Sequence, residues 1–309
     1  MFVLRRTIIN RQFNHSCRRL FSSSSGSIEP GKARYNLDSK IALVTASTDG
    51  IGFSIAQRLA QSGATVIVSS RKQANVDRAI KQLHDEGFKS ATGLVCHVGK
   101  SDDRQKLTEF IVDKYKGLDI FVSNAAINPA IGAILDSDEG VYDKIMDVNV
   151  KAPFLLTKAL VPHMENRPGD KSIVYISSFV GYQMMPLLAT YSLSKTALIG
   201  LSRIVAVDCM LLLIFFLICK YSFYENFCPL GASRNIRVNC VCPGMIKTKF
   251  SEALWQNPDF EEEFHKMVLI KRMGKPEEMA NLVTFLASEE ASYITGESFV
   301  ASGGIFSRL

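Results

Sequence analysis

A chain of 309 residues, 47% hydrophobic and 21% charged, has the composition of an ordinary globular protein with apolar material for one large core. The formal charge of +6 does not call for nucleic acid: Arg5, Arg6, Arg11, Arg18 and Arg19 all precede the first acidic residue, Glu29, and setting them aside leaves 31 basic against 30 acidic residues, so no polyanionic partner is needed. Seven cysteines with no CxxC pair, and five scattered histidines, argue for reduced thiols and against a metal site.

Residues 1–28 combine arginine, serine and apolar side chains without an acidic residue, the composition of a mitochondrial transit peptide; the other reading is a disordered basic tail. From residue 40 the chain alternates apolar, β-rich runs with helical patterns. Strands are expected at 41–47, 65–70, 92–98, 119–125, 172–178, 236–242 and 297–301, and helices near 51–62, 73–86, 102–115, 141–165, 190–208 and 276–288. Such alternation gives parallel strands joined by right-handed crossovers, an α/β fold. The runs IALVTAS and DIFVSNAA are apolar on both faces, as strands covered by helices on both sides should be.

The first strand runs into Thr45-Ala46-Ser47-Thr48-Asp49-Gly50-Ile51-Gly52, which opens a helix. Small residues let a backbone approach a pyrophosphate, and a helix N-terminus offers free N–H groups and positive potential, so Thr45, Ser47, Asp49, Gly50, Ile51 and Gly52 are candidate dinucleotide contacts. The second strand ends in Ser69-Ser70-Arg71-Lys72. A site for NAD usually has a carboxylate here to hold the ribose 2′-OH; hydroxyls and cations at Ser70, Arg71 and Lys72 suit the 2′-phosphate of NADP.

Tyr191-Ser192-Leu193-Ser194-Lys195 follows, with Ser178 thirteen residues before the tyrosine at the end of a strand. Positions i and i+4 share a helix face, so the phenol and the ammonium can enter one cleft. A phenol with a pKa of about 10 is a poor acid or base at neutral pH, and a neighbouring ammonium is expected to bring it down toward the working range. Ser178 is placed to hydrogen-bond a carbonyl oxygen where charge develops. Met184, Met185, Leu188 and Trp255 are expected to line an apolar substrate pocket, and 245–275 to form a mobile loop closing over it.

Between the helix ending near Asp208 and the strand beginning at Ile236 comes an anomalous apolar insert at 210–229. Its apolar run from Cys209 to Cys219 is eleven residues, short of the roughly 18 to 20 that span a bilayer. Exposed, it would favour aggregation, which points to a retained intron or faulty gene model before a membrane-docking loop. Cys240 and Cys242, two apart in a strand, should face the same side. The last residues, Ser307-Arg308-Leu309, are a close variant of the peroxisomal address and imply a peroxisomal import receptor as partner, in competition with the N-terminal leader.

Thr45 to Gly52, Asn124-Ala125-Ala126, Val148-Asn149-Val150, Ser178, Tyr191 with Lys195, and Pro243-Gly244 resemble, in order, the motif series of the short-chain dehydrogenases/reductases, over residues 38–304 apart from the insert. The stretches TASTDGIGF, SSRKQ, SKTALIGL and SYITGE resemble one carbonyl-reducing branch. The resemblance implies a single Rossmann-type three-layer α/β/α domain with a seven-stranded parallel sheet, NADP(H) as cofactor, reduction of apolar ketones and aldehydes, retinal among them, and a homotetramer. It further implies that Tyr191 is the proton donor, that Lys195 also holds the nicotinamide ribose, and that Asn149 anchors a water linking the lysine to solvent. Asn124 and Ala125 would lie beside the cofactor, as would Gly244, and Ile246 and Thr248 would meet its carboxamide. Ala46 and Ala126 stand where glycines are commonest, and His97 where many members carry Asp. A catalytically impaired dinucleotide-binding scaffold or sensor is the alternative if the insert is genuine.

Overall fold

The computed structural model describes residues 35–185, 187–210, 234–256 and 258–305. The leader at 1–28, the insert beyond Met210 and the tripeptide Ser307–Leu309 lie outside the described residues. Seven strands, β1 (Ile41–Val44), β2 (Thr65–Ser70), β3 (Thr92–Val95), β4 (Ile120–Ser123), β5 (Lys171–Ile176), β6 (Ile236–Pro243) and β7 (Ser298–Ala301), form one sheet in the order β3-β2-β1-β4-β5-β6-β7. Every pairing is parallel, with Leu43 opposite Ile67 on one side and Phe121 on the other.

Along β1 consecutive side chains enter different cores, as the period of two requires. Leu43 packs with Ile67, Phe121 and Ile173 under α3 (Ser101–Tyr115), α5 (Ala152–Glu165) and α6 (Ala189–Met210). Ala42 and Val44 instead meet Ile55 and Leu59 of α1 (Gly50–Gln61), Leu83 of α2 (Gln73–Asp85), and Val283 and Leu286 of α9 (Pro276–Ala287). Each such aliphatic side chain contributes about 1.5 to 3 kcal/mol on burial. The two cores make the expected three layers. Cys240 and Cys242 do share a face, with Sγ atoms 3.9 Å apart in the first core.

Because β1 lies between β2 and β4, the crossovers reverse direction there and leave a crevice at the carboxyl ends of the strands. Two ion pairs, each with one buried partner, stand at the other end of the sheet. Asp119, before β4, takes Arg167 at 2.8 Å and the Ile41 amide at 2.8 Å; Arg237, at the start of β6, donates to Asp170 at 2.7 Å. These charges hold the sheet edge and leave the crevice for chemistry.

Three local differences from the sequence reading matter. The strands β1, β4 and β5 end earlier than expected, so Thr45–Ser47, Asn124–Ala125 and Ser177–Ser178 are loop residues beyond the ladder. The expected helix 141–165 is interrupted: α4 (Glu139–Met146) passes through a π turn, Asp147–Lys151, before α5, and Asn149 sits in that turn. The expected loop at 245–275 is largely helical, with a 3-10 turn at Lys249–Ser251, α7 (Glu252–Trp255) and α8 (Pro258–Met267).

Candidate active site

The crevice is a cleft of about 320 Å³ that runs from the start of α1, past the ends of β4 and β5, to the Thr248 segment. At its α1 end the backbone is held open for close approach. A Cβ at Gly52 would lie 2.5 Å from both Ala46 O and Asn124 Nδ2, and Gly50 has φ +54° with Thr248 Cγ2 3.3 Å from where its Cβ would be. Asn124 Nδ2 donates to Thr45 O at 3.0 Å and Ala46 O at 3.1 Å, which fastens the loop to the end of β4. Asp49 caps α1 by accepting from Gly50 N at 2.8 Å, and the next helical amides have no carbonyl one turn earlier to bond. Bare backbone, free amides and a narrow corridor fit the diphosphate of a dinucleotide. Ala46, with φ +50°, occupies the left-handed region that favours the glycine commoner at this position, a strain of about 1 to 2 kcal/mol.

At the other end stand Ser178, Tyr191 and Lys195, all lining the cleft. Tyr191 and Lys195 are one turn apart on α6, with Lys195 Nζ 5.5 Å from the centre of the tyrosine ring. The Ser178 side chain lies near the Tyr191 phenol in the cleft. Lys195 is 1% exposed and donates to Ile176 O at 2.9 Å, while its own carbonyl accepts from Ser177 Oγ at 2.8 Å, so β5 and α6 are pinned together where the three side chains meet.

Burial raises the Tyr191 phenol above its ordinary value, and the neighbouring Ser178 hydroxyl only partly opposes this. Burial also lowers the Lys195 ammonium to about 8. The expected downward pull of lysine on the phenol is therefore overturned in this arrangement: desolvation dominates, and the ammonium hydrogen bond is directed at Ile176 O. A phenol that keeps its proton at neutral pH is the form a proton donor requires.

The structure divides the expected site residues into three groups. Asp49, Gly50, Ile51, Gly52, Asn124, Ser178, Met185, Leu188, Tyr191, Lys195, Gly244, Ile246 and Thr248 line the cleft. Thr45, Ser47, Ala125 and Asn149 stand behind it. Thr45 Oγ1 accepts from Asn124 N at 3.0 Å and Ala125 N at 3.2 Å, and Ser47 Oγ links Val44 O to Ser69 N. The Asn149 amide accepts from Ile127 N at 2.8 Å and donates to Ile127 O at 3.0 Å and Ser194 Oγ at 3.1 Å; Ser194 in turn donates to Tyr191 O at 2.7 Å. That chain of bonds fixes the Tyr191 turn of α6. Ser70, half-buried, and the exposed Arg71 and Lys72 stand at the end of β2, outside the cleft lining.

Two expected pocket residues are displaced. Met184 is 57% exposed, and Trp255 turns its Nε1 to Thr248 O at 3.0 Å, supporting the segment from behind. Ile131, Phe250, Asn128 and Lys249 line the cleft without having been singled out in the sequence. Phe250 places its ring 6.1 Å from that of Tyr191, and Gly132 pairs with Leu188 as an isolated parallel bridge. Only adjacency to Asn124-Ala125-Ala126 and to Thr248 could have pointed to them.

Residues 40–211 match the family model described as short chain dehydrogenase, more than half of the chain. The chain belongs to the short-chain dehydrogenase family. Residues 229–306 match a second model, described as Enoyl-(Acyl carrier protein) reductase, and most of the apolar insert falls between the two matches. Dehydrogenase/reductase SDR family member 4 of Bos taurus is 52% identical over 90% of this chain and 92% of its own length, and the Homo sapiens protein of that name is 49% identical over 95% and 97%. A gluconate 5-dehydrogenase from Burkholderia cenocepacia, solved in complex with NADP and tartrate, superposes with a TM-score of 0.77 at 25% identity, over 90% of this chain and 99% of that one. This short-chain dehydrogenase is thus an oxidoreductase of a family that uses nicotinamide dinucleotides, and the glycine-bearing end of its cleft fits one.

Proposed function

We propose that this enzyme reduces apolar ketones and aldehydes with NADPH as the electron source. The observation that carries the reading is that Ser178, Tyr191 and Lys195 line one end of a cleft whose far end is bare glycine backbone. When bound, the reduced nicotinamide supplies a hydride to the carbonyl carbon. The chain's part is to orient and to move one proton: Ser178 donates to the carbonyl oxygen, Tyr191 hands its proton to that oxygen, and Lys195 supplies positive charge beneath the tyrosine and a grip on the nicotinamide ribose. Asn149, through Ser194, keeps that turn of α6 in register.

Cofactor choice is read from Ser70, Arg71 and Lys72, where the absence of a carboxylate at the strand end favours a 2′-phosphate. Substrate class is read from Ile131, Phe179, Met185, Leu188 and Phe250, an apolar surround for aromatic ketones, α-dicarbonyls or retinal. A homotetramer and peroxisomal import through Ser307-Arg308-Leu309, with the mitochondrion as the other destination, complete the reading and rest on the family resemblance and the two termini.

The test is loss of NADPH absorbance on addition of an aromatic α-dicarbonyl such as benzil. Wild-type enzyme should consume NADPH, and Tyr191→Phe should not, while binding NADPH nearly as well because the ring still packs. A Tyr191→Phe variant with appreciable turnover would show that another group is the acid.

A further inference from the structure

At the start of α1, Thr248 Cγ2 lies 3.3 Å from where a Gly50 Cβ would be, and this close corridor is where a dinucleotide diphosphate would lie, bringing about two negative charges, one per phosphate. Among the described residues, four that line the cleft are ionisable: Asp49, Tyr191, Lys195 and Lys249. Asp49 has the wrong sign for an anion and already occupies the Gly50 amide. Tyr191 and Lys195 stand at the other end of the cleft, where Lys195 donates to Ile176 O. Lys249 therefore carries the remaining positive charge of the cleft, on the wall opposite α1.

Its neighbours leave that charge free. Lys249 is exposed, and among the described residues no carboxylate forms an ion pair with it. Lys247, two residues earlier, sits with its ammonium 4.9 Å from the centre of the Trp255 ring, and the Glu252 carboxylate accepts from Gln256 Nε2 at 2.9 Å. The segment that bears Lys249 is braced by Ser251 Oγ, which donates to Ile246 O at 2.6 Å, and by Trp255 Nε1 on Thr248 O, so the lysine projects from a supported turn.

We propose that Lys249 is a binding residue for the diphosphate of the nicotinamide dinucleotide, offsetting Asp49 and closing the corridor from the side opposite α1. The proposal rests on reading this cleft as the dinucleotide site, and it holds whether or not the adenosine ribose bears a phosphate. A cation meeting a diphosphate in a narrow corridor gains Coulomb energy that salt screens.

The experiment is equilibrium titration, without turnover, of the full chain with NADPH, NADH and 2′-AMP at low and high salt, followed through Trp255, the single tryptophan. Lys249→Ala should weaken NADPH and NADH alike by about fivefold at low salt, with a smaller effect at high salt. Lys249→Arg should bind both as wild type does, and 2′-AMP, which has no diphosphate, should bind Lys249→Ala unchanged. Unaltered NADPH and NADH binding in Lys249→Ala would overturn the proposal, as would an effect confined to NADPH or one shared by 2′-AMP. The assignment of the 2′-phosphate to Arg71 fails separately: Arg71→Asp would then weaken NADPH and NADH equally while the Lys249 result stood.

Discussion

Lys195, proposed above to serve the chemistry, costs the fold stability, and the size of that cost follows from its surroundings. Burial takes its ammonium from an ordinary 10.5 to about 8, which at about 1.36 kcal/mol per pH unit is a penalty of about 3 kcal/mol for keeping it charged at pH 7. Lys195→Met removes the charge and roughly keeps the volume, but leaves Ile176 O without its 2.9 Å donor, which returns about 1 to 3 kcal/mol. The net expectation at pH 7 is a variant without activity that is about 1.5 kcal/mol more stable, with a Tm about 3 to 6 °C higher. The sign of the pH dependence is also set. Between about 8 and 10.5 the unfolded lysine still holds its proton while the folded one has released it, so wild-type stability rises with pH across that window relative to the variant. Thermal melts of the cofactor-free proteins from pH 7 to pH 10.5 test this. A Met variant less stable than wild type at pH 7, or a difference that does not narrow at high pH, would refute the argument from burial.

Arg71→Asp should raise the dissociation constant for NADPH by about ten- to a hundredfold, the worth of a charge-assisted fork, and leave or improve that for NADH; parallel titrations decide it. Gly52→Ala places a Cβ 2.5 Å from Ala46 O and Asn124 Nδ2, so it should lower stability by about 1 to 3 kcal/mol and abolish dinucleotide binding, both read from melts with and without NADPH. Deleting Ser307 to Leu309 from an internally tagged enzyme should move it out of peroxisomes, and an unchanged distribution on microscopy would remove the C-terminal address from the account.

The sequence by itself determined the architecture and singled out the groups proposed to react. Two-faced apolar runs such as IALV require helices on both sides of a sheet, and the burial of apolar residues one helical turn apart, Ile55 with Leu59 and Leu107 with Ile111, supplies them. Tyr191 and Lys195 were legible because a separation of four on a helix sets their common face without reference to anything distant. Glycines at 50 and 52 were legible for a similar reason, since the backbone demand is local.

Tertiary structure decided which of the polar residues touch the cleft and which merely hold it. Thr45, Ser47 and Asn149 carry the same functional groups as true contacts, but their partners are Asn124, Ser69, Ile127 and Ser194, residues 20 to 80 positions away that only the folded sheet brings near. The π turn at Asp147–Lys151 follows from that packing, and hydrophobic periodicity shows a continuous helix through it. The Tyr191 phenol illustrates the same point in energy. Sequence spacing places an ammonium beside it, but whether that charge lowers the phenol or burial raises it depends on packing against Phe179 and Met245 and on the carbonyl of Ile176, all distant from it in the chain.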